Sequence, residues 1–144
     1  MTTPIPVWER YPAAPIDQDN VALYKGWLRH ELTLPRCGNC GKWHAPSYPL
    51  CPFCWSFDLI PTPLSGRGTV HLSILLHQGP SAKGVSYPYP VVTVELAEQA
   101  GLRFTSTAVE GCGRLAIGTP VELAWLDRDG APFPAFRPRD GATQ

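Results

Sequence analysis

The feature that most constrains this chain is a pair of cysteine turns, Cys37-Gly38-Asn39-Cys40 and Cys51-Pro52-Phe53-Cys54, separated by ten residues. Two residues between cysteines aim both sulfurs of a tight turn at one point. Two such turns on neighbouring hairpin tips then complete a tetrahedral thiolate cage suited to zinc. Cys37, Cys40, Cys51 and Cys54 are the expected metal ligands, with iron as the other ion such cages accept. Disulfides or a redox pair compete with this reading, but the doubled motif and the fifth, unpaired cysteine argue against them. Four thiolates fill the coordination sphere and leave no position for water or substrate, so the ion is expected to hold shape only. Metal binding of this kind contributes on the order of 10–16 kcal/mol near neutral pH, enough to replace the core that so short a segment lacks. His44 reads as a packing or surface residue, since four cysteines already complete the set.

Around the ribbon, assigned to residues 34–62, the pattern changes twice. Residues 1–33 form an N-terminal arm and helix. Pro4, Pro6, Pro12 and Pro15 predict an extended arm through residue 16, because each proline lacks an amide donor and restricts its predecessor. Asp17 or Asp19 can then cap an amphipathic helix over about 19–31, with Val21, Tyr24, Trp27, Leu28 and Leu32 at three-to-four-residue spacing. This helix is expected to cover a small domain, the competing role being to dock a partner through Tyr24 and Trp27. Residues 63–138 carry strand patterns. Ser65-Gly66-Arg67-Gly68 leads into Val70, Leu72, Ile74 and Leu76, read as one buried face, with His71, Ser73 and His77 on the polar face. Val92, Val94 and Leu96, then Leu102, Phe104 and Ala108, make a hairpin. Val121, Leu123 and Trp125 precede the turn Asp127-Arg128-Asp129-Gly130 and a last segment, Pro132 to Phe136. Five short strands with a long irregular connection between the third and fourth match a small Greek-key OB barrel better than a sandwich. Pro88, Pro90, Pro132 and Pro134 are confined to strand starts, edges or bulges, which predicts irregular ends for the second and fifth strands. Residues 139–144 read as a frayed tail. The fold class is mainly β, with an N-terminal helix, a zinc ribbon and a five-stranded barrel.

Composition narrows the function. Twelve basic and twelve acidic residues cancel, so no general field attracts polyphosphate. Charged residues are only 17% of the chain, below the roughly 25% of soluble domains, which leaves room for an apolar surface covered by another protein. No apolar run reaches membrane-span length and residues 1–11 lack a secretory layout, so the expected location is cytoplasmic. A search for catalytic constellations yields none. The four histidines are scattered, no nucleophile-elbow pattern occurs, and Glu95, Glu98, Asp127 and Asp129 fall at strand ends or turns. Gly66-Arg67-Gly68 lacks both nucleotide-loop fingerprints, and Cys112 reads as a buried small apolar residue.

The order of helix, ribbon and barrel resembles one family: acyl-CoA-associated proteins, long labelled only as a domain of unknown function, in which a rubredoxin-like zinc ribbon precedes an OB-fold. The resemblance covers residues 17–138. It rests on Cys37-Gly38-Asn39-Cys40-Gly41-Lys42-Trp43-His44, on Cys51-Pro52-Phe53-Cys54, on Ser65-Gly66-Arg67-Gly68-Thr69 and on Gly118-Thr119-Pro120-Val121. Trp55 departs from the pattern, standing where the family often has Gly. The resemblance implies a small non-catalytic subunit of a hetero-oligomer, whose thiolase-fold partner is a thiolase, a related condensing enzyme or a retro-aldolase that shortens sterol side chains. The chain would stabilise that partner and help form the acyl-CoA channel. Lys83, Arg137 and Arg139 are the cations to be tested as contacts of a CoA phosphate.

A single-stranded nucleic-acid binder is the alternative reading, since OB barrels and zinc ribbons stack bases on aromatics within basic grooves. Strand faces expected to point outward carry His71, Ser73, Thr93, Arg103 and Thr105, with no basic stripe or interleaved aromatics. An independent hydratase or thioesterase lacks any identified acid–base set.

Overall fold

In the computed structural model, which describes residues 6–12, 14–81, 85–109, 114–128 and 130–139, the helical part is shorter than its apolar pattern and begins earlier. Between Pro6 and Pro12 the chain is free of proline for five residues, enough for one turn, α1 (Val7–Arg10). The extended arm expected through residue 16 is thus interrupted: Val7 and Tyr11, one turn apart, bury against the second helix, and that burial favours the turn. The Tyr11 hydroxyl donates to the Pro132 carbonyl, and Arg10 Nη2 to the Gly130 carbonyl at 2.8 Å. Asp17 does not cap α2 (Val21–Leu28) directly. Its Oδ1 instead accepts the amides of Asp19 and Asn20, ordering the turn ahead of the helix. The helix stops where His30 adopts a left-handed backbone, φ 59°. Tyr24 and Trp27 are buried with Tyr11, Ala131 and Phe133, so they cover the barrel and are closed to a partner.

The ribbon is a two-stranded antiparallel sheet, β1 (Thr33–Cys37) on β2 (Leu59–Pro63), with the two cysteine turns at its far end. The remaining strands, β3 (Arg67–Leu76), β4 (Tyr89–Leu96), β5 (Arg103–Ala108), β6 (Pro120–Arg128) and β7 (Ala131–Pro138), close into a barrel in the order β3-β4-β5-β7-β6. Four of the junctions are antiparallel and β5–β7 is parallel, the crossing that makes the barrel an OB-type Greek key. Val70, Val92, Val94, Leu96, Val121 and Phe136 fill its interior. Leu32, Leu34 and Trp43 from the ribbon side belong to the same core. Gln99, in the β4–β5 turn, secures this junction: its Oε1 accepts the Trp43 amide at 2.9 Å and its Nε2 donates to the Trp43 carbonyl at 3.2 Å.

Two strand expectations change. The series Val70, Leu72, Ile74, Leu76 does not share one buried face. Val70 pairs with Val94 while Leu72 pairs with Thr93, so His71 is an extra residue, a β-bulge that reverses the side-chain alternation beyond it. Ser73 therefore turns inward, where its Oγ accepts the Leu115 amide at 2.9 Å. Leu72, Ile74 and Leu76 turn outward, 49%, 40% and 40% exposed. His71 and His77 are exposed and do not share a face with a solvent-facing Ser73. The second change concerns the fifth strand, whose register with β6 runs unbroken from Ala131 to Pro138 despite three prolines. Phe136, in phase with Pro132 and Pro134, presents its carbonyl to the Val109 amide on the β5 side. The missing proline amides face the same way, toward the stretch that β5 does not pair, so no ladder bond is lost.

Candidate metal centre and docking faces

The cysteine turns are two copies of one local structure. In the first, the Gly41 amide donates to the Cys37 carbonyl at 2.9 Å and the Cys37 amide to the Lys42 carbonyl at 2.8 Å. In the second, the Trp55 amide donates to the Cys51 carbonyl and the Cys51 amide to the Ser56 carbonyl, each at 2.8 Å. These bonds curl each turn so that both its sulfurs point to the same side. The Sγ atoms of Cys37, Cys40, Cys51 and Cys54 all lie within 4.8 Å of one another. The pairs Cys37–Cys54 and Cys40–Cys51 are each 3.6 Å apart, well beyond a disulfide bond. A tetrahedron with Zn–S bonds of about 2.3 Å has edges of about 3.8 Å, so the donors fit a four-coordinate thiophilic ion.

The electrostatics agree with that fit. The Asn39 side-chain amide, 3.4 Å from Cys54 Sγ, and the Ser56 amide draw the Cys54 thiol down to about 6. The Cys40 amide likewise lowers Cys37. At Cys40 the Lys42 amide also favours the thiolate, but burial and the facing sulfurs outweigh it and push the thiol up to about 11. Four thiolates cannot ionise together unless a cation sits among them, and a divalent ion supplies that compensation.

His44 is buried, not a fifth donor. It stacks on Phe53 with ring centroids 5.7 Å apart, its Nε2 has no hydrogen-bond partner, and burial holds it below the ordinary histidine range. Of the cations considered for a CoA phosphate, Lys83 lies outside the described residues, as does Cys112. Arg137 is exposed and pairs with Glu122 at 3.2 Å, and Arg139 is exposed beside it in sequence. Among the described residues, the barrel's outer surface carries no basic groove that would form a nucleic-acid face. Thr93 bonds Thr105, Arg103 pairs with Glu95 at 3.7 Å, and Leu72, Ile74 and Leu76 form an apolar stripe. Only the bulge at His71 exposes that stripe, and no strand periodicity signals it. Among the described residues, clefts of about 210, 330 and 340 Å³ lie between α2 and the ribbon, between the ribbon and the β4–β5 turn, and beside Trp125. Among the described residues no helix is long and apolar enough to cross a membrane.

Residues 25–59 match the ChsH2 rubredoxin-like zinc ribbon domain, and residues 61–126 match the ChsH2 C-terminal OB-fold domain. One chain of a solved structure described as the Ltp2-ChsH2(DUF35) aldolase superposes with a TM-score of 0.78 at 34% identity, covering 87% of this chain and 98% of that one. The chain belongs to the ChsH2 (DUF35) family. The two family matches together run from within α2 to within β6, leaving α1 and β7 outside them. Curated relatives include a probable enoyl-CoA hydratase alpha subunit of Thermomonospora curvata, 34% identical over 129 residues, which are 88% of this chain and 40% of the relative. The 3-oxo-4,17-pregnadiene-20-carboxyl-CoA hydratase alpha subunit of Mycobacterium tuberculosis is 31% identical over 115 residues, 76% of this chain and 34% of the relative. A DUF35 domain-containing scaffold protein of Methanocaldococcus jannaschii is 36% identical over 85 residues, 57% of each. The chain thus spans between 34% and 57% of the length of these three relatives.

Proposed function

We propose that this chain is the non-catalytic subunit of an acyl-CoA enzyme, joined in a hetero-oligomer to a thiolase-like catalytic subunit of the Ltp2 aldolase type. The likeness to a ChsH2 chain from an aldolase complex, at 34% identity over almost the whole of that chain, carries the reading. The steroid acyl-CoA named for the mycobacterial relative makes steroid-type thioesters the first substrate class to test. Cys37, Cys40, Cys51 and Cys54 would hold a zinc ion that fixes the ribbon. With four thiolates around it, the ion has no vacant position for substrate, so carbon–carbon chemistry falls to the partner.

The exposed stripe Leu72, Ile74 and Leu76 supports a protein partner over a nucleic acid, since phosphodiesters gain nothing from an apolar face. The clefts among the described residues, 210–340 Å³, sit at or below the low end of ligand-pocket size, so a bulky acyl group held in one of them requires a second wall. The chain supplies one side of that channel and the catalytic subunit the other. Arg137 and Arg139 are assigned to the CoA phosphates, Glu122 being the group that a phosphate would displace from Arg137.

The test is co-expression with the Ltp2-type subunit of the same organism, followed by co-purification and a retro-aldol assay on a steroid acyl-CoA. A stable complex is expected, with turnover that falls when this chain is omitted. In a Leu72→Ser, Ile74→Ser double variant the isolated chain should melt normally while co-purification weakens. A catalytic subunit that assembles and turns over equally well alone would refute the reading, as would turnover by this chain without a partner.

A further inference from the structure

The two cysteine turns impose the same backbone demand and meet it differently. The residue after the second cysteine is left-handed, which turns the chain so that the next residue's carbonyl accepts the first cysteine's amide. Gly41 takes that place at φ 78°, where glycine has no steric cost, and Trp55 takes it at φ 64°. The Trp55 side chain repays little of this strain by packing, since it is 77% exposed. On either side, Phe53 is 64% and Phe57 78% exposed, the first lining the cleft toward the β4–β5 turn and the second the cleft toward α2, so Trp55 stands between two further exposed aromatics of the ribbon.

We infer that Trp55, flanked by Phe53 and Phe57, is a docking anchor that seats in an apolar socket of the catalytic subunit. This rests on the complex proposed above and adds to it a second contact, beside the Leu72, Ile74 and Leu76 stripe. Aromatic side chains bury about 150–250 Å² each, so at these exposures the three offer roughly 400 Å². That is about half of the roughly 800 Å² that each partner contributes to a stable interface, the share expected of a central cluster ringed by weaker contacts. The cysteine cage fixes the loop before binding, so little freedom is lost on docking.

Charge selects the kind of occupant. A divalent ion on four thiolates leaves a formal double negative charge, and Asp58 adds another. Nearby, Lys42 lies 5.6 Å from the Phe53 ring centre and Arg36 lies 5.3 Å from that of Trp43. The residual negative charge repels phosphodiesters and suits a neutral or mildly basic protein socket.

The experiment measures affinity of the full-length, zinc-loaded chain for the Ltp2-type subunit by calorimetry, with melting of each isolated chain as the second readout. Trp55→Ala is expected to weaken binding about thirtyfold or more, the loss typical of a hot-spot aromatic. Trp55→Gly should weaken binding as much, yet melt no lower than wild type, because glycine relieves the left-handed strain. Affinity within about twofold of wild type in both variants would overturn the anchor while leaving the complex intact. Failure of the wild-type chain to bind the subunit would overturn both. Trp55-dependent retention of an oligothymidine strand, without binding to the subunit, would instead assign the loop to nucleic acid and refute the inference.

Discussion

Gly66 is the position where the barrel's closure can be tested quantitatively. It opens β3 at φ 81°, and its carbonyl accepts the Leu123 amide at 2.9 Å, joining the first barrel strand to β6. A Cβ added there would stand 2.6 Å from Leu123 Cβ and 3.3 Å from its Cδ2, against the roughly 3.5–4.0 Å of ordinary carbon contacts. Leu123 Cβ is fixed by its own backbone, so a rotamer change cannot relieve the clash. For Gly66→Ala the left-handed backbone costs about 1–2 kcal/mol and overpacking about 1–3 kcal/mol, while the stiffer unfolded chain returns about 0.4–1 kcal/mol. The net loss is about 2–4 kcal/mol, a large part of the 5–15 kcal/mol that domains possess. At roughly 4 °C per kcal/mol, Tm should fall by about 8–16 °C. Gly118→Ala is the matched control: φ is 90° but nothing lies within 4 Å of the added carbon, so only the backbone cost applies and Tm should fall by less than about 6 °C. Thermal and urea unfolding followed by circular dichroism would give both values. Equal losses in the two variants would refute the close-approach reasoning, and no loss in either would refute the left-handed geometry.

Cys51→Ser should lower zinc content by elemental analysis and abolish hydrogen-exchange protection of the Cys51 and Trp55 amides. Protection at Val94 should fall less, because the barrel strands supply most of the core that it shares with Leu34 and Trp43 of the ribbon. Full metal content in that variant would remove Cys51 from the ligand set. Because burial depresses His44, its neutral form is favoured on folding. The stability it contributes is present above the unfolded histidine range, near pH 6.5, and is lost as pH falls below it. Denaturation between pH 7.5 and about 5.5 should show a shallower loss in His44→Leu than in wild type, and parallel slopes would contradict the assignment.

The cysteine cluster was legible because its information is local: a spacing of two residues closes each turn, and both turns lie within a short segment. The barrel was legible as five strands separated by turn residues, and so was the covering role of Tyr24 and Trp27. What misled was β3. Its every-second-residue pattern is a true strand signal, yet one extra residue at His71 exchanged the faces, placing Ser73 in the core and Leu72, Ile74 and Leu76 in solvent. The α1 turn escaped for a related reason, since it is held by the packing of Val7 and Tyr11 on Tyr24 and Trp27, thirteen or more residues away.

By itself, then, the order of residues determined which atoms could form a metal cage and how many strands the rest could make, because turn chemistry and side-chain alternation act over a few neighbours. Only the tertiary structure decided that ribbon and barrel share one core through Leu34, Trp43 and Gln99, and which apolar groups remain outside it. Those outcomes depend on register between distant strands, where a single bulge reverses every later side chain and no local pattern carries the sign.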